Sequence, residues 1–155
     1  MKYRPFLMVG LLVLAACGSA TDSVTFQAPP GYVQRASVGP FIQIWGKDKS
    51  VLTLIALPVK SDLHKSIQNS GFTGESKDDK EESITICDNQ PAILVEGTGQ
   101  VHNAGSNSQV PQRGHVEIVA TEAAGKTFMA LYVRPIDAAV DTSAEKAIHN
   151  LCPKP

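Results

Sequence analysis

No apolar run in this chain is long enough to cross a bilayer as a helix: the longest, residues 6–16, holds eleven residues where about 20 are needed. Cysteine is scarce, three in 155 residues with no Cys-x-x-Cys pair, which excludes a disulfide-dense miniature scaffold and the paired-cysteine zinc motifs. A charge excess is missing too, with 14 Lys and Arg against 15 Asp and Glu. The chain therefore carries no basic field for nucleic acid or anionic lipid. Catalytic signatures are equally thin. His64, His102, His115 and His149 stand 38, 13 and 34 residues apart, never at the short spacing that preassembles a metal site. The one candidate for a nucleophile elbow, Gly105-Ser106-Asn107-Ser108, lacks the second glycine that lets a strained turn project the hydroxyl. The acidic stretch at 75–82 is interleaved with Lys77 and Lys80, departs from the EF-hand register, and reads as a solvated loop. Neither a metal nor a cofactor is expected.

What is present begins at the amino terminus. Lys2 and Arg4 precede the apolar run, and small residues follow it, the order of a secretory signal peptide. Leu14-Ala15-Ala16-Cys17 resembles a bacterial lipobox. That resemblance implies a thiol carrying a diacylglyceryl group, cleavage before Cys17, and acylation, palmitate in character, of the new amino terminus. Several acyl chains hold a protein firmly where one binds only marginally. Gly18 stands where an Asp would, in Gram-negative lipoproteins, signal inner-membrane retention. The expected location is the cell envelope, on the periplasmic side of the outer membrane where one exists.

Residues 17–23 are small and polar and read as a tether, leaving 24–155 as a single domain. After cleavage the balance is 12 basic against 15 acidic residues, a net charge near −3. The two remaining cysteines, Cys87 and Cys152, share an oxidising compartment, where an even pair is normally joined. The alternative is two independent buried thiols.

Hydrophobic alternation and turn residues give the elements. Strands are expected at 24–27, 41–45 and 51–59, the last covered on both faces, then a short helix at 62–70. Further strands follow at 83–87, 92–101, 115–121 and 127–134, with a long mobile loop over 97–113. Thr142-Ser143-Ala144-Glu145 has the form of a capping box, and Ala144, Ala147, Ile148, Leu151 and Cys152 share one face of a closing helix that Pro153 ends. The order is βββαββββα, about seven strands in a mainly antiparallel α+β fold with helices packed on the sheet. Together with Phe26-Gln27-Ala28-Pro29-Pro30-Gly31-Tyr32, and with Leu131-Tyr132 before the last helix, this order resembles the PsbP-like fold, which includes mycobacterial LpqN-type lipoproteins. The resemblance implies an accessory or assembly role.

Candidates for recognition are Trp45, either an interface anchor or a core residue, and His102, Asn103, Asn107 and Arg113 in the long loop, since long irregular loops are usually functional or disordered. The expected function is non-enzymatic binding near the membrane, with an envelope protein as partner and no nucleic acid. The alternatives are an envelope hydrolase with a dispersed site and an inhibitor that inserts loop 102–113 into another protein.

The most direct test concerns Cys17. Mass spectrometry of membrane-extracted protein should find it acylated and amino-terminal, and Cys17→Ser should abolish both the modification and membrane retention. An unmodified Cys17 in the native protein would sink the assignment.

Overall fold

The computed structural model describes residues 20–70, 73–74, 79–87, 89–101 and 112–155; Cys17, the rest of the signal segment, and His102, Asn103 and Asn107 lie outside them. A single-turn 3-10 helix, Ala20–Ser23, leads into β1 (Val24–Thr25), β2 (Val33–Val38), β3 (Ile42–Lys47), β4 (Ser50–Leu57), α1 (Leu63–Gln68), β5 (Thr73–Gly74), β6 (Lys80–Ile86), β7 (Gln90–Val101), β8 (Gln112–Ala123), β9 (Lys126–Pro135), α2 (Thr142–His149) and β10 (Cys152–Pro153). The main sheet has eight strands in the order β2-β3-β4-β9-β8-β7-β5, with β6 also paired to β7; β1 and β10 form a separate two-stranded ribbon. All pairings are antiparallel.

The α+β class with a mainly antiparallel sheet is therefore as expected, while several details differ. The strand expected at 24–27 is shorter and lies in the ribbon. Strand β2 has no counterpart in the expected order, because nearly all of it is exposed and it shows no apolar alternation to betray it. The acidic stretch is not wholly loop, since 80–82 belong to β6. Likewise 97–101 and 112–113 are strand rather than mobile loop.

Consecutive expected strands pair as three hairpins: β3 with β4, β6 with β7, and β8 with β9. In the last, Ala124 and Gly125 both have positive φ, 49° and 72°, the mirror-image turn whose twist matches two paired strands. Burial on β4 alternates, with Leu52, Leu54 and Ala56 buried and the other face only half-buried. Besides β8 over residues 118–121, the strand covered on both faces is β9, where every residue from Thr127 to Tyr132 is buried. Its Phe128, Ala130 and Tyr132 join Leu52, Leu54, Val119, Ala144, Ile148 and Leu151 in one apolar cluster. From its other face, Met129 and Leu131 join Ile118, Ala120 and Ile67 of α1.

Helix α2 starts one residue earlier in its capping than the sequence pattern suggests. Asp141, not Thr142, is the N-cap, its carboxylate accepting from the Ser143 backbone N–H at 3.1 Å. The same carboxylate takes a 2.7 Å ion pair from Lys47. Two demands met by one side chain outweigh the weaker hydroxyl cap at 142.

Cys87 and Cys152 come together as a disulfide pair with Cα atoms 5.7 Å apart. Cys152 is not on the helix face but in β10. Strict alternation would set Cys87 on the side of Ser83 and Thr85, away from buried Ile86. Its φ of 40° breaks the strand there and turns the side chain toward the core cluster that Ile86 also joins. The bridge closes a separation of 65 residues. Removing it with Cys152→Ala should lower stability by roughly 2–5 kcal/mol, read as an earlier urea midpoint. Free thiols at both positions in native protein would contradict it.

Candidate functional site

The described site candidates from the sequence are scattered. Trp45 is half-buried with its ring 5.3 Å from that of Phe26, so its aromatic face is engaged within the domain. Arg113 is exposed at the start of β8, opposite Gln100. His149 closes α2 at the surface. His64, on α1, is hydrogen-bonded through Nε2 to Glu81 at 2.9 Å, and that bond raises its pKa. Among the described histidines, His64 lines a cavity with Asp79, Lys80 and Glu81, and His115 lines one where titratable groups from β6, β7, β8, β9 and α2 meet.

That cavity encloses about 570 Å³ and is lined by Lys80, Glu96, Thr98, His115, Glu117, Arg134 and Glu145, among others. It follows from register. Glu96 of β7 lies directly opposite Glu117 of β8, Thr98 opposite His115, and His115 opposite Arg134 of β9. Side chains two apart on a strand share a face, so these residues prolong the row that, further along β8, carries Val119 into the core. Glu145 reaches the same face from the first turn of α2, where the helix dipole favours negative charge.

Like charges placed opposite one another destabilise a sheet, and here a third carboxylate is added. The Glu117 pKa is pushed up to about 7, first by burial and then by Glu145 and Glu96, with a shared proton between the Glu117 and Glu145 carboxyls contributing and Arg134 opposing. Arg134 donates through Nη1 to the Ala138 carbonyl at 2.8 Å, while its buried Nε has no hydrogen-bond partner among the described residues. Among the described residues, no group of three or more His, Cys, Asp or Glu has a geometry that could hold a metal ion. The cavity is thus a place where a proton resides near neutrality and where an incoming positive charge would meet three carboxylates.

Two other hollows each hold an internal pair of opposite polarity. One, about 460 Å³, lies between the β3–β4 turn and the β9–α2 connection. There the Lys47–Asp141 pair holds the Asp141 carboxyl down at about 2, helped by Ser143, and Lys47 sits 5.7 Å above the Tyr32 ring. The other, about 400 Å³, holds the His64–Glu81 pair.

Sequence reasoning missed Glu96, Glu117 and Glu145 because they are 21 and 28 residues apart and meet only through strand pairing and the placement of α2. One signal was available: His115 and Glu117 occupy inward positions on a strand whose next inward residue is Val119, and polar residues on a core-facing row are unusual.

Because Glu117 binds its proton more tightly when folded than unfolded, its contribution to stability is present below about pH 4.5 and is lost as pH rises through about 7. Glu117→Gln should therefore match the parent in acid and exceed it at pH 8, by about 1–2 kcal/mol once screening from the open side is discounted. Thermal melts at both pH values decide it; a variant less stable than the parent at pH 8 would refute the charge crowding.

No protein-family model matches the sequence, and no curated protein matches it either.

Proposed function

We propose that this chain is an envelope lipoprotein, anchored through Cys17, whose domain is a non-enzymatic binding module with an accessory role near the membrane. The observation that carries the binding reading is the convergence of Glu96, Glu117 and Glu145 on one open cavity. Crowded carboxylates there favour a positively charged group, an amine or guanidinium from a small ligand or from a partner's Lys or Arg, since an opposite charge relieves both repulsion and burial. The two helices contribute buried residues to opposite faces of the sheet, which supports the finer architecture of helices packed on a sheet and, with it, the PsbP-like resemblance. Loop 102–113 remains a second contact candidate, because its described flanks, Val101 and Gln112, are paired at the end of the β7–β8 ladder toward which the cavity lies.

The test is calorimetric titration with Lys- and Arg-containing peptides at pH 7. Binding should release a proton as Glu117 ionises, making the measured heat depend on the buffer, and Glu117→Gln with Glu145→Gln should abolish it. Unchanged affinity in that double variant would remove the cavity from the binding function.

One observation favours an envelope hydrolase as second reading: a carboxyl group protonated near neutrality beside another carboxyl group is the arrangement of a general acid and its partner. Turnover of a cell-wall or lipid substrate, lost in Glu117→Gln alone, would decide for that reading.

A further inference from the structure

Several contacts fix where the tether enters. The Thr21 N–H donates to the Pro40 carbonyl at 3.2 Å, Gln43 Nε2 donates to Thr21 Oγ1 at 3.0 Å, and Lys126 Nζ donates to Ser23 Oγ at 2.7 Å. Residues 20–23 are thereby pinned to the end of the sheet that carries the β2–β3 turn and the β8–β9 turn. Only two residues separate Cys17 from Ala20, three Cα steps with a reach of at most about 11 Å. A lipid attached at Cys17 therefore holds this end of the domain within about 11 Å of the headgroups.

The same end presents apolar side chains that the fold leaves uncovered. Val38 closes β2 and is 59% exposed; Phe41, in the turn, is 39% exposed; Val59, just beyond β4, is 58% exposed. They are neighbours in the fold: the Phe41 N–H bonds the Val38 carbonyl, the Ala56 N–H bonds the Phe41 carbonyl, and the Val59 carbonyl accepts from Thr127 at the start of β9. Three lysines also stand at this end. Lys126 donates to the Ser23 hydroxyl, Lys154 donates to the Asp22 carbonyl, and Lys60 pairs with Glu122. Apolar side chains set among lysines match the boundary between acyl chains and anionic headgroups.

We infer that the end bearing Val38, Phe41 and Val59 rests in the lipid surface, so that the anchored domain has one orientation with its carboxylate cavity turned away from the bilayer. This rests on the lipid-anchor reading of Cys17. The cavity lies toward the opposite end: Glu117 is level with Tyr132, six residues along β9 from Lys126, about 20 Å at strand rise. Val140, 44% exposed, lies in the β9–α2 connection, on that remote side.

The experiment uses the full-length lipidated chain in vesicles of phosphatidylethanolamine and phosphatidylglycerol with brominated acyl chains. In a Trp45→Phe background, a single tryptophan is placed by Phe41→Trp or by Val140→Trp, with circular dichroism confirming the fold of each. The expected result is loss of most of the Phe41→Trp emission and none of the Val140→Trp emission, with mass spectrometry on the same samples reporting the acyl group on Cys17. Acylated protein in which neither tryptophan is quenched, or in which both are quenched equally, overturns the orientation while leaving the anchor intact. A crosslinked dimer through position 41 without quenching assigns the patch to a second copy and overturns it likewise. A Cys17 without acyl mass removes the anchor reading and the orientation together.

Discussion

Strand β9 sets the terms for the whole domain because both of its faces are apolar. An antiparallel sheet commonly leaves one face to water, but a strand buried from Thr127 to Tyr132 requires cover on each side. One side is supplied through Ala144, Ile148 and Leu151, the other through Ile67. The long β8–β9 and β4–β9 ladders place β9 in the middle, and exposure grows outward until β2 is almost entirely in water. Burial of roughly 1.5–3 kcal/mol per large side chain concentrates on this axis, so elements matter to stability in proportion to their contact with it.

The polar features of the domain are arranged around that apolar axis. The row of β8 that brings Val119 into the core runs on to Glu117 and His115, which line the cavity. Glu145 hangs over the gap from the helix's first turn. The helix is held at that end by Asp141, whose carboxylate caps it and pairs with Lys47, and whose backbone N–H donates to Tyr132 Oη at 3.1 Å. The capping contacts and the carboxylate crowding thus sit within one turn of each other, and the first offsets the second.

Much of the sheet was legible because its hairpins obey local rules. Alternation at 41–45, 83–87 and 115–121, with Gly, Asn or Pro between the runs, is enough to place six strands in three pairs. Strand β2 was not legible, since Val33-Gln34-Arg35-Ala36-Ser37-Val38 alternates nothing and forms only because β3 offers it an edge. The ribbon of β1 and β10 was hidden for another reason: Pro153 reads as a helix stop, and its partner Val24 is 129 residues away. The cavity was illegible for the reason that makes any tertiary site so, that no window along the chain contains two of its three carboxylates. The disulfide was legible from the even pair of cysteines left once Cys17 is set aside, although its geometry turned on the positive φ of Cys87, which sequence does not announce.

The β1–β10 ribbon looks like a minor element, two residues paired with two. Its place in the chain gives it mechanical weight. Any tension delivered through residues 17–19 reaches the domain first at the Thr21–Pro40 bond and then at this ribbon, which the Lys154 N–H extends by bonding the Ser23 carbonyl at 2.9 Å. Beyond it the load passes into Cys152 and, across a covalent bond, to the β6–β7 turn at Cys87. Such tension is thus shared between hydrogen bonds to the end of the main sheet and a ribbon tied covalently to the β6–β7 turn, and the carboxylate cavity lies off that path.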